Sequence, residues 1–199
     1  MICGVSIKNY NNFFVSLINN EIQTAATLRD RLNTDTEYRM PSDDVVRESF
    51  GMRWSTHYIP KCILYLLETS IRNDDKQNNK LLSIGNYDLE HIMPKQWKAN
   101  WQLPASDKSE EELENERNTK VNSIGNMTIL KSGLNRSISN SSWNDKKEGK
   151  GNKGGLKKYG AGLETFSQYI DSPKWDEDQI DARAEFLLNA ALKTWKLKG

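Results

Sequence analysis

The chain has 199 residues, of which 36% are hydrophobic and 28% are charged, and its formal net charge is +1. This length allows one large domain or two small ones with a buried core. The absence of a run of roughly 18 apolar residues argues against a membrane span, and residues 1–8 lack the features of a secretory signal. The cysteines, Cys3 and Cys62, form no Cys-x-x-Cys zinc motif, and we expect a cytoplasmic protein.

The first part of the sequence predicts three helices. Apolar residues recur at helical spacing from Asn9 to Leu32, which predicts one helix. A second helix is expected to begin near Ser42 and to end at Gly51. A third helix, from about residue 59 to residue 71, is rich in leucine and isoleucine and is expected to lie in the core. His57 precedes it among aromatic residues, where a packing or capping role is expected rather than a catalytic one.

Strand patterns appear after residue 80. Short apolar runs between Leu81 and Ile92 flank Gly85-Asn86, which predicts a hairpin of two strands. An acidic helix is expected from about residue 107 to residue 120, and residues 121–130 return to strand character. We identify no internal repeat and no P-loop motif.

The remaining sequence predicts short helices, a basic loop and a terminal helix. Residues 133–150 have the pattern of one or two short helices, and residues 151–162 are rich in glycine and lysine. A helix with an apolar stripe is expected from about residue 176 to residue 197. The fold class predicted from these elements is mainly α with a small β-hairpin insert.

Residues suited to binding a metal ion and activating water occur in two short segments. Glu90 and His91 end the first, while Asn126 lies in the second and Asn135 just beyond it. Phosphodiester hydrolysis needs a base that deprotonates water, and histidine is suited to that task. The carboxylate of Glu90 and the amide oxygen of Asn135 suit Mg²⁺ or Mn²⁺, whereas zinc prefers softer ligands.

Strand geometry places a condition on this site. Neighbours on a regular strand point to opposite faces, so Glu90 and His91 converge only where the strand ends or bends. Pro94, three residues after His91, is compatible with such an end. The same alternation puts Asp88 on the face of Glu90 as a second candidate ligand. The alternatives are an ordinary ion-paired histidine and, for Asn126, an ordinary turn.

The two segments also carry a resemblance to a known family. Tyr87-Asp88-Leu89-Glu90-His91-Ile92-Met93-Pro94 is followed by Ile124-Gly125-Asn126-Met127-Thr128-Ile129-Leu130 and then by Asn135-Arg136. This series resembles the HNH branch of the ββα-metal, or His-Me finger, nucleases, and the nine-residue interval between the two asparagines matches that of CRISPR nuclease HNH domains. More narrowly, it is similar to the C-terminal nuclease domain of GmrSD-like, modification-dependent type IV restriction enzymes. The similarity spans roughly residues 40–199.

The resemblance implies a role for each residue of the pattern. His91 would be the general base, and Asn126 would brace the loop that orients it. Glu90 and Asn135 would bind Mg²⁺ or Mn²⁺, with Asp88 as a further candidate. Glutamate at position 90 departs from the aspartate of many HNH enzymes, which alters the expected metal geometry. The candidate DNA contacts are Arg136, Lys146, Lys147, Lys150 and Lys153.

The function implied by the resemblance is metal-dependent cleavage of modified foreign DNA in a bacterial anti-phage restriction system. An NTPase and modification-sensing domain or subunit, absent from this chain, is the expected partner. The implied organisation is a helical part at residues 1–80, an HNH-like ββα-metal core at 81–150, and a basic loop and terminal helix at 151–199. The alternative is a non-catalytic nucleic-acid-binding module that keeps the HNH fold, for which the basic run at 146–158 is the basis. A helical interaction scaffold is a third interpretation, which leaves the paired site residues unexplained.

Overall fold

The computed structural model describes residues 8–19, 22, 24–74, 81–132, 140–160 and 162–195. The chain divides into two compact units, a smaller one within Met1–Ser49 and a larger one within Phe50–Gly199. The described residues are mainly helical, and their strands form two small two-stranded sheets. The prediction of a mainly α protein with a small β element is confirmed at this level. No helix in the described part of the chain is long and apolar enough to cross a membrane.

The smaller unit contains helices α1 (Tyr10–Asn19) and α2 (Ala25–Thr34). The prediction of one continuous helix is wrong because Thr24 caps a new helix. The Thr24 hydroxyl accepts a hydrogen bond from the backbone N–H of Thr27, whose own hydroxyl accepts one from Thr24. The buried centre of this unit consists of Phe13, Leu17 and Tyr38.

Helices α3 (Asp43–Gly51) and α4 (Tyr58–Asp74) follow. The hydroxyl of Ser42 accepts a hydrogen bond from the N–H of Val45, so the predicted start of α3 is confirmed. Leucine and isoleucine side chains of α4 are buried against the sheet and the terminal helix, as expected for a core element. These buried side chains are Ile63, Leu64 and Leu67.

The main sheet consists of two strands that are distant in sequence. Strand β1 (Tyr87–His91) pairs antiparallel with β2 (Met127–Lys131). The predicted hairpin at Gly85-Asn86 is wrong: residues Ile84–Asn86 form a 3₁₀ turn, and only the residues after it enter a strand. The amide of Asn86 donates to the carbonyl and the hydroxyl of Ser83, and these local bonds hold the turn.

The two strands begin with the same four residues. Ser83-Ile84-Gly85-Asn86 precedes β1, Ser123-Ile124-Gly125-Asn126 precedes β2, and each contains a 3₁₀ turn. The backbone carbonyl of each asparagine accepts a hydrogen bond of 2.9 Å from the residue after the opposite strand, Ser132 or Ile92. The pair therefore has local two-fold symmetry. The expectation that the chain has no internal repeat is wrong at this scale.

The other elements surround this strand pair. The acidic helix begins at Glu110, three residues later than predicted. Ser109 caps it, and the side chains of Ser109 and Glu112 form a capping box. Residues 151–162, expected to form a loop, contain half of a small hairpin and a short helix. In chain order the elements are α5 (Glu110–Val121), α6 (Trp143–Glu148), β3 (Gly149–Lys150), β4 (Lys153–Gly154), α7 (Leu156–Gly160) and α8 (Glu177–Thr194).

Helix α8 packs closely on the turn that opens β2. A Cβ atom at Gly125 would lie 2.1 Å from the backbone oxygen of Ile180, a distance that no side chain tolerates. The buried guanidinium of Arg183 donates to the carbonyls of Gly125 and Met127, each at 2.7 Å. Glycine is therefore required at position 125 by close packing, and α8 holds the start of β2 in place.

The repeated turn offers a matched pair of substitutions for testing this contact. We expect Gly125→Ala to lower the free energy of unfolding by about 3 kcal/mol, because overpacking displaces α8 from the turn. Gly85→Ala is the control, since a Cβ there meets nothing within 4 Å. Urea unfolding followed by tryptophan fluorescence measures both. Equal stability of the two variants would contradict this account of the α8 contact.

Candidate active site

Strand β1 directs its last two side chains to opposite faces. Its pairing with β2 is regular up to His91, which lies opposite Met127, so the alternation of side chains is kept. Glu90 contacts Lys146 of α6, whereas His91 lies beside His57, which precedes α4. The strand does not bend to bring Glu90 and His91 onto one face.

Glu90 and Lys146 form a buried ion pair. Their side chains are 8% and 0% exposed, and the Lys146 ammonium donates to Oε1 of Glu90 at 2.6 Å. It also donates to the backbone carbonyl of His91 at 2.6 Å. Burial lowers the pKa of Lys146, while the Glu90 carboxylate opposes that shift by favouring the charged form. One ammonium therefore links α6 to both residues that end β1.

His91 has a buried ring nitrogen and a lowered pKa. Its Nε2 is buried and has no hydrogen-bond partner within the described residues. Burial lowers the pKa of His91 to about 3, and electrostatic interactions with Lys95, His57 and Lys146 act in the same direction. The imidazole is consequently neutral near pH 7, the form that a general base requires.

The side chain of Asn126 is fully buried and uses its full hydrogen-bonding capacity. Its Oδ1 accepts from the backbone N–H of Met93 at 2.8 Å and from Nε1 of Trp175 at 3.0 Å. Its Nδ2 donates to the carbonyls of Met93 and Val121, at 2.8 and 2.9 Å. Because Met93 is two residues after His91, this amide fixes the backbone that follows the histidine.

The predicted metal ligands are only partly brought together. Asp88 is half-buried and shares a strand face with Glu90, while Asn135 lies outside the described residues, as does Arg136. No group of three His, Cys, Asp or Glu side chains in the described part of the chain could hold a metal ion. The Lys146 ammonium on Oε1 of Glu90 also repels a cation at that oxygen. The described residues supply hard oxygen ligands but do not complete a metal site.

The predicted DNA contacts differ in their exposure. Lys150 and Lys153 face each other across the β3–β4 hairpin and are exposed, with the Lys150 ammonium 3.7 Å from a carboxylate oxygen of Asp145. Lys147 is mostly covered and donates to the carbonyl of Ser172 at 3.3 Å. Lys146 is buried against Glu90, so its ammonium does not reach solvent.

Two residues at the site were not singled out for chemistry by the sequence. The rings of His57 and His91 lie 5.8 Å apart, centroid to centroid, and Lys95 is 3.3 Å from His57 between Nζ and Nε2. Both residues could have been noticed in the sequence. Lys95 directly follows Pro94, and His57 and His91 are the two histidines of the chain. Their proximity depends on the packing of α4, which no local pattern encodes.

Comparison with known protein families shows which family this chain belongs to. A family described as the C-terminal domain of GmrSD restriction endonucleases matches residues 40–190. The chain belongs to this family. The predicted relationship is thereby confirmed, and every candidate site residue lies within the matched region. A search of curated proteins finds no match. Membership makes this a GmrSD C-terminal domain, related to restriction endonucleases that act on DNA.

The buried ion pair can be tested by removing each partner. We expect Lys146→Met to lower the free energy of unfolding by about 3–5 kcal/mol, because it leaves the Glu90 carboxylate buried without its counter-ion. The double variant Glu90→Gln with Lys146→Met should recover part of that loss. Lys108→Met is the control, since the Lys108–Glu116 pair is about half exposed at 52% and 50%.

Urea unfolding of the unchanged protein and of these three variants measures the loss and its partial recovery. A Lys146→Met protein as stable as the Lys108→Met control would show that the pair is unimportant for the folded state.

Proposed function

We propose that this GmrSD C-terminal domain is a metal-dependent DNA endonuclease of the HNH type, with His91 as its general base. The observation that carries the proposal is the neutral imidazole of His91, whose buried Nε2 lacks a partner in the described structure. Membership of a restriction endonuclease family supports DNA as the substrate. The position of His91 at a strand end, beside a fully bonded asparagine, fits a base that must keep one orientation.

The ββα-metal unit is proposed to consist of β1, β2 and α6. Support comes from the antiparallel pairing of β1 with β2 and from the Lys146 ammonium that joins α6 to the end of β1. The unit lies within residues 81–150, the proposed nuclease core. Residues 1–80 and 151–199 are proposed to flank it as a helical part and a C-terminal part.

His91 performs the proton transfer in this proposal. A water oxygen bonds to phosphorus, and its proton passes to Nε2 of His91. The bond between phosphorus and the leaving sugar oxygen breaks, its electron pair stays on that oxygen, and the oxygen takes a proton from solvent. A bound Mg²⁺ or Mn²⁺ would neutralise charge on the phosphate and on the leaving oxygen. Glu90, Asn135 and Asp88 have the oxygen atoms that such ions prefer and are the residues proposed to hold the ion, with Glu90 and Asp88 on the β1 face opposite His91.

Two buried residues are proposed to position the base rather than to contact DNA. Asn126 holds the backbone of Met93, two residues after His91. Lys146 binds the carbonyl of His91 itself. This role for Lys146 replaces the phosphate contact expected from the sequence, since a fully buried ammonium cannot meet a DNA strand.

The DNA surface is proposed to include the exposed lysines of the β3–β4 hairpin. Lys150 and Lys153 project from a turn that contains Gly151, where an added Cβ atom would meet nothing within 4 Å. Lys147 and Arg136 are proposed as further contacts. Modified phage DNA remains the proposed target, and a separate NTPase and modification-sensing component in the cytoplasm remains the proposed partner.

Plasmid nicking tests the proposal directly. We expect the purified protein to nick supercoiled DNA when Mg²⁺ or Mn²⁺ is present, and we expect a chelator to stop it. His91→Ala should reduce the rate by about 10²–10⁴-fold, because the attacking water loses its base. Asp107→Ala, a change on the exposed segment before α5, is the matched control and should cut normally. Undiminished nicking by the His91→Ala protein would refute the role of the histidine.

A second function is favoured by one specific observation, the ammonium that occupies Oε1 of Glu90. A domain whose site carboxylate is already neutralised can bind DNA without cutting it. This second function predicts that no divalent ion supports nicking. It also predicts that the protein binds DNA and that the binding depends on salt concentration. Binding would then weaken when Lys150 and Lys153 are both changed to glutamine and would be unaffected by His91→Ala.

A further inference from the structure

A pair of basic side chains lies on the His91 face of β1, on the side away from Lys146. We infer that His57 and Lys95 bind a backbone phosphate of the DNA and so place the scissile phosphodiester beside His91. This inference rests on the proposed nuclease function, which it deepens by assigning the residues that receive the substrate. It also gives His57 a role that the sequence did not indicate.

The geometry brings together two separate parts of the chain. His57 immediately precedes α4, and Lys95 follows the proline that ends the β1 segment. Their Nε2 and Nζ atoms are 3.3 Å apart, and the His57 ring meets the His91 ring at 61° with 5.8 Å between centroids. Both residues are exposed, whereas Nε2 of His91 is buried. A group bound by the pair would therefore sit at the solvent side of the base.

The pairing of an ammonium with an imidazole fixes which atoms remain to bind a ligand. The Lys95 ammonium can only donate, so Nε2 of His57 is the acceptor in this contact. Nδ1 of His57 then carries a proton. The ammonium has three donors and uses one of them on His57, so it keeps two for an oxygen ligand. The pair offers several N–H donors and one positive charge.

The charges around the pair favour an anion. Neither Lys95 nor His57 forms an ion pair with an acidic residue of the described chain. Lys98, three residues along, differs because Glu114 binds its ammonium at 2.5 Å. Exposed basic groups without a counter-ion attract phosphate, and charge-assisted hydrogen bonds give such a contact its strength.

A DNA phosphodiester fits this surface better than a metal ion. Basic donors repel metal cations, so the pair is unsuited to the cofactor. The substrate of a restriction endonuclease carries a phosphate at every step of the backbone, and one such group beside His91 would bring its phosphorus within reach of the activated water. Lys95 and His57 thus act as substrate-binding residues at the point of cleavage.

Binding measurements in the His91→Ala background test this inference apart from cleavage. Fluorescence anisotropy with a labelled DNA duplex should show Lys95→Gln and His57→Gln binding at least about tenfold more weakly, the factor expected for losing one charge-assisted hydrogen bond. Lys95→Gln should also reduce the slope of log affinity against log salt by about 0.9. Lys98→Gln is the matched control, because Glu114 already neutralises that charge, and its binding should be unchanged.

The same background gives a spectroscopic readout. The chain has two histidines, so His91→Ala leaves His57 as the single imidazole in ¹H–¹⁵N spectra. Its signals should shift when duplex DNA is added and should not shift on adding the same concentration of inorganic phosphate, if the contact needs the DNA backbone. An equal shift with both would mean that the pair is a general anion site and not a DNA-specific contact.

The outcomes separate this inference from the function on which it rests. Cleavage by the His91→Ala protein would refute the nuclease mechanism whatever the binding data show. Binding by Lys95→Gln and His57→Gln equal to that of Lys98→Gln, with an unshifted His57 signal, would refute the phosphate contact even if His91 proves essential. Thermal unfolding of each variant confirms that these exposed substitutions leave the fold intact.

Discussion

The buried amide of Asn126 joins three parts of the chain that are far apart in sequence. It binds both polar backbone atoms of Met93, the carbonyl at the end of α5 and the indole of Trp175. Leaving such groups buried without partners costs roughly 1–3 kcal/mol each. The amide therefore determines where the segment after β1 lies, and with it the position of His91. Arg183 and Gly125 add to this by fixing α8 on the same turn.

The two faces of β1 differ in whether their charged groups are paired. On the α6 face, the Glu90 carboxylate and the Lys146 ammonium compensate each other inside the protein. On the α4 face, His91 is neutral and is bordered by His57 and Lys95, which have no acidic partner in the described structure. In the proposed mechanism, the positive charge attracts the phosphate while the neutral imidazole of His91 is the proton acceptor.

Local chemistry in the sequence predicted the parts of the fold that depend on neighbouring residues. In this way the sequence predicted the cap at Ser42, the core position of α4 and the family. It did not predict which strands pair across long distances in the chain. The Gly85-Asn86 turn signal was real, but β1 pairs with β2 rather than with the residues before the turn. A turn signal identifies a break in the chain and does not name the partner of the strand that follows.

The site shows the same division between local and long-range information. The sequence predicted Glu90, His91 and Asn126 as site residues from their spacing along the chain. The inward direction of Lys146 depends on how α6 meets β1, and the approach of His57 to His91 depends on α4. Neither arrangement follows from spacing along the chain. The repeated Ser-Ile-Gly-Asn segment was visible in the sequence and would have indicated that two similar turns open two strands.

The central claim is that DNA is cut at the end of β1 beside His91. A crystal structure of the His91→Ala protein with uncleaved duplex DNA tests this most directly. We expect one backbone phosphate next to position 91, with oxygen atoms within hydrogen-bonding distance of Lys95 or His57. DNA bound on another surface, with no phosphate near position 91, would contradict the claim.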